Sequence, residues 1–176
     1  MQSLILTALE NIPLIRQGDN LADIVLNATN FALLDNDIFV LAQKIVSKAE
    51  GRMVNLADVK PSQKAIELAE KTEKDSRLVE LMLQESNEVV RYRKNVIVVE
   101  HKLGFICANA GIDHSNVSPS PLTPLPKTGE GNNKDDYVLL LPENPDKSAK
   151  QIRDEIKKRT NKNRSPISNI KMVKVF

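Results

Sequence analysis

PSQKAIELAEKTEKDSRLVELMLQESNEVVRYRKNVIVVEHKLGFICA, residues 61–108, changes its hydrophobic period halfway along. In its first half apolar residues recur three and four apart. Ala65, Leu68 and Ala69 share one helical face behind Ser62, and Leu78, Leu81 and Met82 share another behind Asp75. Both leading residues have a short side-chain oxygen that can accept from the free amides of a first turn, so two capped helices are expected, the second ending near Ser86. From Glu88 onward the helical period is gone. Glu88–Tyr92, Val96–His101 and Gly104–Ala108 are short, apolar or β-branched runs separated by polar or glycine-containing turns, which predicts an antiparallel meander. Helices followed by antiparallel strands place the chain in the α+β class.

Upstream, Ser3–Leu9 (SLILTAL) reads as a strand entering a turn at Pro13. A helix capped by Asp19 should follow, with Leu21, Ile24, Val25 and Ala28 at helical spacing and an end near Asn30. Ile38–Ala42 is a continuous apolar run of strand length, which suggests burial on both faces. Downstream, Ser118–Asp136 holds four of the nine prolines and two of the six glycines without apolar periodicity, and reads as a loop or linker. Tyr137–Leu141 is a buried strand stopped by Pro142. A helix from about Ser148, with Ser148 and Gln151 as a capping box and Ala149, Ile152 and Ile156 on one face, comes next. Arg164–Phe176 has little pattern.

A chain of 176 residues suits one domain or two small lobes and can bury a sizeable core. Twenty-five basic against twenty-three acidic residues leave a net charge of +2, too balanced for a binder driven by phosphate-backbone electrostatics. Aromatics make up 3% and tryptophan is absent, which removes the stacking platforms of single-strand binders. Nucleic acid is therefore not expected as a partner. One cysteine and two histidines cannot build a Cys/His zinc centre. No apolar run reaches the length of a membrane span, so no membrane association and a cytoplasmic location are expected.

Three polar clusters stand at the ends of apolar runs, where loops can present side chains on a rigid frame. Ile12–Ile15 with Gly18 and Asp19 is a turn ahead of a helix N-terminus, open to reading as an ordinary capped connection or as a phosphate contact. Lys44 and Ser47–Arg52 supply ammonium groups, a hydroxyl and a glycine that permits close approach. This is equally a solvated turn or a phosphate cradle, and it does not match the Walker pattern. Ala108–Asn116 surrounds Asp113, a hard-metal ligand by chemistry, with small and amide residues that also favour a plain tight turn. His114 reads as a turn histidine rather than a base, His101 as a strand-end surface residue, and Cys107 as a buried inert thiol.

Taken together in order, IPLIRQGDNLADIV (12–25), QKIVSKAEGRMVNLADVKPSQKAIELA (43–69), RLVELMLQESNEVVR (77–91), NAGIDHSN (109–116) and VLLLPENPDKSAKQIR (138–153) resemble the coenzyme F420:L-glutamate ligase family, the F420-0:gamma-glutamyl ligases. The resemblance implies a two-lobed α+β fold with mixed or antiparallel sheets and flanking helices. The lobes would be an N-terminal one over 1–90 and a second over 91–163, interrupted by an insertion at 118–136 and followed by a divergent tail at 164–176. It implies a GTP- and divalent-metal-dependent ligase that joins L-glutamate to F420-0 through an acyl phosphate and then adds a further glutamate by a γ-linkage. Mg2+ or Mn2+, and K+, are the implied ions, and a homodimer is the implied assembly.

Position by position, the resemblance places Ile12, Pro13, Leu14, Ile15, Gln43, Lys44, Lys48 and Asn116 at GTP and Asp113 at the metal. No protein nucleophile is implied. Where the family continues into a strand with a Ser/Thr-Asp-Thr motif carrying a second metal carboxylate, this sequence reads RSPISNIKMVKVF. The expectation is a C-terminally truncated ligase with an impaired site. The alternatives are a non-catalytic nucleotide-binding or interaction scaffold, or a nonfunctional remnant.

Overall fold

The computed structural model describes residues 4–114, 137–163 and 171–175. The insertion at 118–136, Asn116, and residues 164–170 and 176 of the tail lie outside them. Five α-helices and three small sheets are found among the described residues, an α+β architecture as expected. The chain forms two compact units, Met1–Gly51 with Pro142–Phe176, and Arg52–Leu141. Their boundaries fall at 51/52 and 141/142.

In the first unit, α1 (Leu21–Ala28), β1 (Ile38–Ala42) and α2 (Gln43–Ala49) are joined by a long helix later in the chain, Pro145–Asn163. Asn20, not Asp19, caps α1, its side chain accepting from Asp23 N at 3.1 Å. Asp19 instead accepts from Arg16 N at 2.7 Å and closes the turn one residue earlier. The long helix starts at Pro145 rather than near Ser148, because Asn-Pro-Asp is the stronger start: the Asn144 side chain accepts from Lys147 N at 2.9 Å and proline suits the first helical position. Ser148 is then internal, its hydroxyl shared between the Asn144 carbonyl and the Glu50 carboxylate.

The core of this unit is Ala22, Val25, Leu33, Phe39, Leu41 and Ile156. Along β1 burial alternates. Phe39 and Leu41 are buried, whereas Ile38 and Val40 are 51% and 59% exposed, so the expected two-sided burial does not hold. A continuous apolar run says nothing about how many faces find a partner. Leu4–Leu9 forms no strand and Leu4, Ile5 and Leu6 stay exposed, since apolar content without a ladder partner does not make a sheet. The tail read as patternless contributes β7 (Lys171–Val175), parallel to β1 with Ile38 opposite Lys171 and Ala42 opposite Val175. With β7 placed, the helix Pro145–Asn163 is α5 in chain order.

In the second unit, α3 (Gln63–Thr72) and α4 (Ser76–Gln84) are capped as read, by Ser62 onto Ala65 N and by Asp75 onto Arg77 N. They lie against an antiparallel sheet of β3 (Ser86–Arg93), β4 (Val96–His101) and β5 (Ile106–Ala108) in that order, the expected meander. Ala65, Ala69, Val79, Met82, Ile97 and Val99 form its core. A second ladder pairs β2 (Met53–Asn55) antiparallel with β6 (Tyr137–Leu139) over Leu56, Leu81 and Leu140.

Candidate functional site

In the first unit three of the candidate positions, Gln43, Lys44 and Lys48, lie along α2. Gln43 and Lys44 occupy its first turn, behind Ala42, which provides no side-chain cap. Lys44 and Lys48 are one turn apart and therefore neighbours on one face. Two ammonium groups so spaced repel each other, and Lys48 makes no ion pair with a described residue. Gln43 Nε2 donates to the fully buried Ser47 hydroxyl at 2.6 Å, along the helix row beside that of the two lysines. At the C-terminus Gly51, at φ +72°, donates to Lys48 O at 3.0 Å. The turn at Gln17–Gly18, just after Ile12–Ile15, is joined to this end, because Gly18 N donates to Ala49 O at 2.9 Å and the Gln17 side chain lies where a Cβ on residue 51 would be. Gly51 is thus favoured for its φ, while the Gln17 side chain over it is exposed and can move aside. Ile12, Pro13 and Leu14 are exposed, and Ile15 is half-buried.

Asp113 belongs to the second unit. It follows Asn109, Ala110 and Gly111, three successive residues at φ +51°, +53° and +65°. For the two that are not glycine this left-handed backbone costs about 1–2 kcal/mol each. Surrounding contacts hold it in place. The Asn109 side chain accepts from Ile97 N at 3.1 Å, Ala110 is buried, and a Cβ on Gly111 would meet Leu141 at 2.9 Å. Asp113 then pairs by both backbone groups with Leu139, at 2.9 and 2.8 Å. Asp113 is half-buried and follows this left-handed run by two residues.

No group of three or more metal-ligating side chains occurs among the described residues. Asp113 is the carboxylate at this turn, and Mg2+ commonly takes only one or two carboxylates from a protein, the rest of its shell being water and substrate oxygens. His114 is exposed, as read. Cys107 is partly buried, and burial pushes its thiol above the usual range, away from nucleophile chemistry.

Two residues take places the sequence did not indicate. Arg52 leaves the expected phosphate cluster: its guanidinium donates to Leu141 O at 2.9 Å and to the Glu85 carboxylate at 2.7 Å, so it pins the ends of β6 and α4. His101, expected at the surface, is 2% exposed. Its Nδ1 accepts from Leu103 N at 3.0 Å and its ring stacks on Phe105 at 5.1 Å. The alternation that buries Ile97 and Val99 also buries residue 101, and this was the available signal.

The fold and its loops define an α+β protein with a lysine-bearing helix end in one unit and an aspartate on a strained turn in the other. Comparison with known proteins gives the family: residues 10–167 match the model of F420-0:Gamma-glutamyl ligase, and the chain belongs to that family. It is 47% identical over 129 residues to the coenzyme F420:L-glutamate ligase of Methanothermobacter thermautotrophicus, covering 72% of this chain and 51% of the relative. Identity to the ligase of the same name from Methanocaldococcus jannaschii is 37% over 153 residues, 86% of this chain and 53% of the relative. With that of Methanococcus maripaludis it is 41% over 167 residues, 94% and 59%. The chain thus spans about half the length of the curated relatives it matches. No helix among the described residues is long and apolar enough to cross a membrane.

Proposed function

We propose that this chain takes part in GTP-dependent ligation of L-glutamate to coenzyme F420-0. Family membership supports the reaction, and the observation that carries it in this molecule is the strained Asn109–Gly111 turn that presents Asp113. On this reading the γ-phosphoryl group of GTP passes to the terminal carboxylate of F420-0, forming a C–O–P linkage as GDP leaves. The glutamate amine then attacks the activated carbonyl carbon, phosphate departs with the C–O bond, and the nitrogen loses its extra proton. Repetition on the new γ-carboxylate adds a second glutamate.

Lys44 and Lys48 bind and neutralise phosphate oxygens, and Gln43, Asn116 and the Ile12–Ile15 turn orient the nucleotide. Asp113 holds Mg2+ or Mn2+, which when bound offsets charge on the phosphates. K+ is the further ion of this reading, a homodimer its assembly and the cytoplasm its location.

Incubation of the purified chain with F420-0, L-glutamate, GTP and Mg2+, followed by mass spectrometry, tests the proposal. Glutamylated product at a rate below full ligase turnover is expected, in keeping with the impaired site, falling about 100-fold further in Lys44→Ala, the effect of removing one preorganised electrostatic stabiliser. Absence of product at every enzyme concentration, with Mn2+ as with Mg2+, overturns it.

A further inference from the structure

The β4–β5 ladder of the second unit is clamped at both ends by a side chain bonded to backbone. At one end Asn109 accepts from Ile97 N. At the other the His101 ring accepts from Leu103 N through Nδ1, inside a turn that also has His101 N on Phe105 O at 2.8 Å and Gly104 N on His101 O at 2.8 Å. Between the clamps lies β5, only three residues long, with Ile106 opposite Glu100 and Ala108 opposite Val98. β5 runs directly into Asn109–Gly111. A left-handed run of that kind persists only where its surroundings over-determine it, and a one-residue slip of β5 would turn every side chain to the other face.

The proton inventory of His101 follows from its bonds. Because Nδ1 accepts from an N–H, the single proton of the neutral ring is on Nε2. Nε2 is buried without a hydrogen-bond partner among the described residues, 3.9 Å from the Glu85 carboxylate. A second proton could go only to Nδ1, where it would point at Leu103 N–H, donor against donor.

We propose that His101 is a positioning residue: as a neutral imidazole protonated on Nε2 it locks the Lys102–Phe105 turn and the register of β5, and so sets where the Asn109–Gly111 turn presents Asp113. Acidification that puts a proton on Nδ1 releases that lock. The groups facing the ring are Glu85 from the end of α4, Lys102 from the turn and Arg52 from the start of β2. Burial disfavours the imidazolium most, Lys102 and Arg52 add to this, and Glu85 opposes it, so the ring titrates below the ordinary histidine range. The lock is closed at neutral pH. The inference rests on the ligase reading only for the use made of Asp113.

Nuclear magnetic resonance of the 15N-labelled full chain between pH 8 and 5 tests it without substrate. The expected result is an Nε2–H tautomer at pH 7.5 and a common titration midpoint for the His101 ring and the Leu103, Gly111 and Asp113 amides. Above that midpoint each unit of acidification should raise the released population about tenfold, the slope of a one-proton linkage, and below it the population should saturate. His101→Asn retains an acceptor near the Nδ1 position but does not titrate. It should keep the Gly111 and Asp113 amides near their neutral-pH positions and abolish their pH dependence. His101→Leu should displace them at every pH, and should it fail to fold, the asparagine variant carries the test. An Nδ1–H tautomer at pH 7.5, or titration of Leu103 while Gly111 and Asp113 stand still, overturns the proposal. Thermal shifts with GTP and Mg2+ on the same samples separate the two readings: intact amide coupling without GTP binding defeats the ligase reading and leaves the positioning role standing.

Discussion

The two compact units close their cores to different degrees. In Arg52–Leu141, Ala65, Val79, Ile97, Val99, Val138 and Leu139 are fully buried, and both ladders lie against helices or loops. Among the described residues of Met1–Gly51 with Pro142–Phe176 the buried core cluster is six residues, while Leu4, Ile5, Leu6 and Leu14 are 72–85% exposed and one face of β1 carries open Ile38 and Val40. The lesson is that an apolar residue stabilises a fold only as far as it finds a packing partner: the second unit too leaves Ile106, Tyr92 and Val90 exposed, but buries more of its apolar side chains completely.

The sharpest way to break this comparison is to truncate one apolar side chain in each unit. Met82, 1% exposed, sits among α3, α4 and the sheet, and Met82→Ala is expected to lower unfolding stability by about 2–5 kcal/mol. Leu6→Ala should stay within about 0.5 kcal/mol of the parent, as for exposed sites generally. Urea denaturation followed by circular dichroism, with unchanged slope, measures both. Equal losses would mean that the exposed segment is covered in solution.

A smaller effect is expected at the polar pin of the closed unit. Arg52→Met keeps the aliphatic stem but removes the donors to Leu141 O and Glu85, and a charge-assisted bond of this kind contributes about 1.5–3 kcal/mol. Double-mutant denaturation with Glu85→Gln measures the pair. If the two single losses simply add, the bond seen at 2.7 Å contributes nothing to stability.

What could be read from the sequence follows the same division. The capped pair α3 and α4 and the β3–β5 meander were legible because their signals are local: Ser62 and Asp75 stand immediately before periodic apolar faces, and each strand pairs with its sequence neighbour. β1 and its partner β7 are 128 residues apart or more, and no local period of Ile38–Ala42 says which face a remote strand or helix will cover. Asp19 and Asn20 are both good caps, and only the turn closed by Arg16 N assigns them. Among candidate site residues, Lys44, Lys48 and Asp113 stood out by chemistry. The burial of His101 was legible in the alternation of β4, whereas the contacts of Arg52 with Glu85 and of His101 with Leu103 are made by tertiary packing and by a turn and leave no spacing signature.

Acid titration sharpens the comparison at a lower magnitude. The Arg77 guanidinium beside Asp75 holds that carboxyl below its usual range, and accepted backbone amides of the first turn of α4 act in the same direction. Because the folded-state value is depressed, this contribution is present above the ordinary carboxylate range and is lost as pH falls through the folded value. Asp75→Ala should therefore cost about 1 kcal/mol at pH 7, the usual loss for a cap, and progressively less in acid. A loss independent of pH would assign the effect to side-chain packing instead of to the ionised cap. Thermal unfolding of both proteins across pH 7 to 2 decides.

The smallest expected effect is at the open face of the other unit. Val40 is 59% exposed and sits between Phe39 and Leu41, whose side chains are directed to the buried side of β1. Val40→Thr keeps the β-branched shape, and so the strand preference, while exchanging a methyl for a hydroxyl. On a face in water that exchange leaves stability within about 0.5 kcal/mol, whereas burying an unpaired hydroxyl costs about 1–3 kcal/mol. The substitution therefore reports on the surroundings of that face and not on the strand itself. Denaturation at two protein concentrations a hundredfold apart completes the test. A neutral result at both leaves β1 one-sided, while a loss seen only at the higher concentration means that self-association covers Ile38 and Val40.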